Sequence, residues 1–118
     1  MTIRITKIYD YDCPICEHML TFDGSVIFNL GLQTHYGAVE LGTLINSTEP
    51  WNAVVFMLLE RHAVNDDYTI DLPVYLVTEG TNYLGHVKSE NTQNELRKQL
   101  EEILSRAENK EGTGVPGQ

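Results

Sequence analysis

This chain of 118 residues holds only two cysteines, one tryptophan and four prolines, and just eight lysines and arginines. Each scarcity excludes something. Two cysteines cannot build the multi-bridge framework of a small secreted domain. Eight basic side chains against seventeen acidic ones give a formal net charge of −9. Phosphate contact needs clustered Lys and Arg, so a nucleic-acid binder is disfavoured, as is docking on an anionic membrane. The balance suits a soluble carrier whose partners offer basic patches. Long hydrophobic runs are missing too. The longest apolar stretch, Ala53 to Leu59, falls far short of the ~20 residues of a membrane helix. Met1 to Lys7 lacks the apolar core of a secretory leader. The expectation is a cytoplasmic protein. Hydrophobic residues still make up 42 %, enough for one compact domain with a real core.

The two cysteines stand together, in Cys13-Pro14-Ile15-Cys16. Before them Ile3, Ile5 and Ile8 alternate with polar neighbours, as in a half-buried strand. Pro14 stands where the first turn of a helix tolerates proline best. A strand that ends in Cys-x-x-Cys at a helix start is a usual site of thiol–disulfide exchange. Free N–H groups at the helix N-terminus favour thiolate over thiol, and the thiolate is the reactive species. In a reducing compartment a lone pair of this kind is catalytic, redox-sensing or metal-binding. The metal alternative stays open here, because His18 lies two residues beyond Cys16. A closed zinc site needs four ligands, however. There is no second cysteine pair, and His35, His62 and His86 are scattered singly. No metal is therefore assigned.

The remaining elements follow from pattern. A first strand is expected at about Ile3 to Tyr9, then helix through much of residues 14–35, bent near Asp23 and Gly24. Tyr36 and Gly37 read as a turn, and Val39 to Ile45 as a second strand. Ser47 or Thr48 can cap a helix from Trp51 to Val64, with Pro50 in its first turn. Val74 to Thr78 and Tyr83 to Val87 read as a hairpin. Leu96, Leu100, Ile103 and Leu104 mark a closing amphipathic helix. The domain is expected to span 1–107, with 108–118 as a flexible tail. A βαβα start followed by ββα gives an α/β protein, with a small mixed sheet of about four strands and helices on both faces. Tyr9 and Tyr11 flank the cysteine pair, where they either shape a substrate groove or pack on the sheet.

In three features the chain resembles the thioredoxin-like family, which includes thioredoxins and glutaredoxins. One is the Cys13–Cys16 motif between first strand and first helix. Another is Pro73, entering the strand Val74-Tyr75-Leu76-Val77, where the family holds a cis-proline beside the active-site sulfurs. The third is the terminal hairpin, with Gly85 near its end, and the helix after it. The resemblance covers roughly residues 2–106. It implies a thioredoxin-like fold and thiol–disulfide oxidoreductase activity on protein disulfides. Cys13 would be the nucleophile and Cys16 the resolving thiol. Asp12, Pro14 and Ile15 would face the substrate, with Leu72 and Pro73 as the lip that pairs with its backbone. The redox couple is the cysteine pair itself, so no other cofactor is implied. Electrons would come from a reductase or glutathione, and the protein would act as a monomer. A redox-inactive binding module on the same fold, its cysteines serving as a metal or regulatory site, is the alternative.

The chain also departs from the family. Asp12 stands where thioredoxins carry tryptophan, and Pro14 follows the first cysteine as in glutaredoxins. Asp10 and Asp12 replace the basic residues that glutaredoxins set around glutathione. Lys7 occupies the strand position where thioredoxins bury an acid that aids proton transfer. Asp12 should oppose a second negative charge and so raise the Cys13 pKa.

Overall fold

A computed structural model describes residues 2–30, 34–89 and 92–113. The chain forms β1 (Ile3–Tyr9), α1 (Pro14–Leu20), α2 (Asp23–Phe28), β2 (Thr34–Glu40), α3 (Leu41–Asn46), α4 (Pro50–His62), β3 (Val74–Glu79), β4 (Asn82–Lys88) and α5 (Gln93–Thr113). The four strands make one mixed sheet in the order β2-β1-β3-β4. β1 runs parallel to β2 and antiparallel to β3, and β3 is antiparallel to β4. This is the expected α/β layout of thioredoxin-like kind.

Strand alternation sorts the core into two layers. Ile3, Ile5, Tyr75 and Val77 face one side, where Met19, Val26, Ile27, Leu96, Leu100 and Ile103 pack on them from α1, α2 and α5. Ile8, Val74 and Leu76 face the other, under Leu44 of α3 and Val55, Leu58 and Leu59 of α4. The helices thus cover both faces. β3 is buried from Val74 to Thr78, which explains its continuous apolar run. Gly85 of β4 lets α5 come close, because a Cβ there would stand 2.9 Å from Cγ1 of Ile103. The β3–β4 turn uses Gly80 at φ +60°, the positive φ that a tight hairpin demands.

Several expectations need correction. The second strand is Thr34–Glu40, so Tyr36 and Gly37 lie inside it rather than in a turn. Residues Leu41–Asn46 are helical because the Glu40 carboxylate accepts hydrogen bonds from the backbone N–H of Gly42 (2.9 Å) and Thr43 (3.0 Å). Helix does not reach residue 35. α2 ends at Phe28, and the expected Gly31 and Leu32 of that helix lie outside the described residues. The break between α1 and α2 falls at Thr21, whose N–H and hydroxyl both turn back to the His18 carbonyl. The cap of α4 is Glu49 rather than Ser47 or Thr48, as Ser47 Oγ instead accepts from Glu49 N–H and Asn52. At the other end α5 continues to Thr113, past the boundary expected at 107. No Gly or Pro interrupts the chain between Arg106 and Gly112. Residues 114–118 lie outside the described residues. Among the described residues no helix is long and apolar enough to cross a membrane.

Candidate functional site

The site grows from the junction of β1 and α1. β1 ends at Tyr9, and Cys13 then takes an extended conformation as the N-cap of α1, with Pro14 in the first turn. In that position the Cys13 sulfur accepts a hydrogen bond from the Cys16 backbone N–H at 3.1 Å. A sulfur does here what a Ser or Asp oxygen does at other N-caps. α1 has only seven residues, so this direct bond matters more than the summed dipole of the helix. Cys13 and Cys16 are joined by a disulfide. The two sulfurs are not equivalent, because Cys13 is half-buried while Cys16 is only 4 % exposed.

The expected lip lies beside them. The Leu72–Pro73 peptide bond is cis, and the Cys13 sulfur is 3.8 Å from the Leu72 carbonyl oxygen. Pro73 itself is buried and Leu72 half-buried. The accessible part of the lip is therefore Leu72. Asp12 and Pro14 are exposed beside Cys13, whereas Ile15 turns partly into the core.

A second group of residues gathers near the cavity that Cys16 lines. Lys7 and Asp23, 3 % and 1 % exposed, form an ion pair of 2.6 Å. The Tyr75 hydroxyl donates to the same carboxylate oxygen at 2.7 Å. Burial first, then this bond to Asp23, pushes the Tyr75 pKa well above its ordinary value. Burial and the nearby Asp23 charge do the same to Tyr36. Lys7 and Asp23 sit at the wall of a cavity of about 590 Å³ that Cys16 also lines. Tyr9 and Tyr11, in edge-to-face contact at 5.8 Å, line it too. The buried acid that meets Lys7 of β1 thus comes from α2. The sequence carried a signal for it. Lys7 follows Ile3 and Ile5 on the inward face of β1, and Asp23 falls four residues after Met19 on the inward face of the helical stretch.

The histidines are less scattered than their spacing suggests. His62 stacks on Tyr83 at 3.7 Å between ring centroids. The Tyr83 hydroxyl lies 2.6 Å from His86 Nδ1. Burial first, then Lys88 and His62, lowers the His86 pKa. His18 makes edge contact with Phe22 at 5.5 Å. Among the described residues no group of three or more His, Cys, Asp or Glu side chains is placed to hold a metal ion.

No family model matches the sequence, and no curated protein matches it. Solved structures do match. One, titled "Structure of a malarial protein", aligns over 90 % of this chain and 97 % of its own, with a TM-score of 0.55 and 12 % sequence identity. The likeness spans nearly the whole chain and, at that identity, is a likeness of fold.

Proposed function

We propose that this protein is a thiol–disulfide oxidoreductase of the thioredoxin-like type, which reduces protein disulfides through Cys13 and Cys16. The observation that carries the reading is the asymmetry of the pair. Cys13 is accessible and its sulfur accepts an N–H bond at a helix start; Cys16 is buried behind it. The first sulfur suits attack and the second suits release.

The chemistry balances as two exchanges. The Cys13 thiolate attacks one sulfur of the substrate disulfide, a mixed disulfide forms, and the other substrate sulfur leaves as thiolate and takes a proton. The Cys16 sulfur then attacks Cys13. The mixed disulfide breaks, the second substrate thiol is released, and Cys13 and Cys16 are left oxidised. Two electrons have passed to the substrate. A dithiol reductase or glutathione restores the dithiol. Asp23 shares a cavity with Cys16 and is the buried carboxylate available to the Cys16 proton during the second exchange. Leu72, with its carbonyl at the Cys13 sulfur, offers backbone for pairing with the substrate strand.

Insulin reduction in the presence of dithiothreitol tests the proposal. Wild type is expected to accelerate it and Cys13→Ser to abolish the acceleration. Cys16→Ser is expected to accumulate a mixed disulfide visible by mass. An inactive wild type that binds zinc stoichiometrically would overturn the reading in favour of a redox-inactive module.

A further inference from the structure

We infer that the cavity beside Cys16 is a second substrate subsite, which takes an apolar side chain of a disulfide-bearing polypeptide and selects basic residues flanking it. The inference rests on the exchange reading above. It concerns the side of the disulfide away from Leu72. Leu72 leads into β3, whereas Tyr36 and Ala38 of the cavity belong to β2, and β1 lies between those strands.

Three observations carry it. The first is apolar convergence. Tyr11, Leu20 and Tyr36 are 77 %, 66 % and 38 % exposed, yet all three line this one cavity. Single exposed apolar residues need no explanation, but several around one hollow mark a binding site. The volume of about 590 Å³ lies within the range of ligand pockets.

Charge is the second. Lys7 is the only lysine or arginine among the lining residues, and Asp23 neutralises it. Asp10 and Glu17 line the cavity and form no ion pair with Lys or Arg among the described residues, Asp12 is exposed close by, and the whole chain carries −9. An apolar group fits the interior, and cations fit the surroundings.

The third observation selects a polypeptide as the occupant. β2 is the end strand of the sheet, and residues 35–38 are exposed along it. Its free edge can pair with an incoming strand. Tyr36 pairs with Ile5 and Ala38 with Lys7, so both lie on the cavity side of the sheet. A strand added to this edge would direct alternate side chains toward the hollow while its disulfide lies at Cys13.

Two peptides with the same disulfide test the inference. One carries leucine flanked by arginines a few residues from the cysteine; the other carries serine flanked by glutamates. Wild type is expected to reduce the first with kcat/KM about tenfold higher or more, the gain from burying one apolar side chain. Ala38→Trp, which fills the hollow from an exposed edge position, should remove the advantage of leucine over serine at constant charge, read against a third peptide that carries serine flanked by arginines. The double variant Asp10→Asn, Glu17→Gln should remove the advantage of arginine over glutamate and its salt dependence. Equal rates by wild type, or a preference unchanged in both variants, would overturn the subsite and leave the exchange reading standing. Reduction of neither peptide would overturn the exchange reading, and the substrate role with it.

Discussion

Replacing Lys7 by methionine should cost this protein a large share of its stability. The Lys7 and Asp23 side chains are 4 % and 2 % exposed, and their charged atoms lie 2.6 Å apart. Lys7→Met fills similar volume but strands the Asp23 carboxylate, with the Tyr75 hydroxyl at 2.7 Å and the Tyr36 hydroxyl as its remaining donors. Breaking a buried pair from one side typically costs about 3–5 kcal/mol. The retained tyrosine bonds, and access for water through the adjoining cavity, place Lys7→Met near the lower end. Unfolding entropies of about 2 cal/mol/K per residue convert 3 kcal/mol into a fall of roughly 12 °C in Tm for a chain of this length. Asp23→Leu should cost more, since it leaves the Lys7 ammonium with only the rings of Tyr9 and Tyr75, each 5.9 Å away. The double variant Lys7→Met, Asp23→Leu should recover most of the loss, because an apolar pair of similar volume is often as stable as the ions it replaces. Urea unfolding followed by circular dichroism, with the cysteine pair oxidised throughout, measures all four proteins. A Lys7→Met cost below about 1 kcal/mol would mean that solvent already screens the pair. A double variant as unstable as the two single losses combined would mean that the ions are not coupled. If the double variant is stable yet slow in the second exchange, with an altered pH profile, the pair is kept for the Cys16 proton rather than for the fold.

Gly85→Ala should destabilise by about 1–3 kcal/mol, because the new methyl would press on Ile103 of α5; a neutral result in urea unfolding would show that α5 shifts freely. His86 has a lowered folded pKa, owing mainly to burial, so its contribution is complete above the unfolded value near 6.5 and fades as pH falls below it, where only the unfolded chain readily takes the proton. The urea midpoint of wild type should therefore drop between pH 7.5 and 5.5 by more than that of His86→Asn, and parallel drops would refute this assignment. Asp12→Asn should lower the thiol pKa of reduced Cys13 by less than about one unit, since the carboxylate is adjacent but exposed and screened; ultraviolet thiolate titration reads it, and an unchanged pKa would remove Asp12 from the site.

What could be read from the sequence depended on burial. β1, the β3–β4 hairpin, α4 and α5 each bury a face or a core run, so their apolar residues repeat with the period of the element. β2 buries little of itself. As an edge strand exposed from residue 35 to 38, it has no apolar repeat, and Tyr36-Gly37 imitates a turn while Val39 to Ile45 imitates the missing strand. The same reasoning explains the site. Cys13 and Cys16 are legible because one local motif sets their geometry. The cavity is not, because its walls come from β1, α1, α2 and β2, and nothing local joins them.

Charge could have joined two of those elements where hydrophobic period could not. An inward lysine after Ile3 and Ile5 is intolerable in a core unless an anion meets it. An inward aspartate between Met19 and Val26 needs a cation for the same reason. Each demand names the other as its answer, and meeting both packs α2 against β1 at Lys7, as the ion pair across sixteen residues does. The contact also places a carboxylate and a lysine at the wall of the cavity that Cys16 lines, with two tyrosine hydroxyls on that carboxylate. Matching inward charges of opposite sign is thus a separate constraint from apolar periodicity, and in this chain it bears on the half of the site that the cysteine motif leaves unspecified.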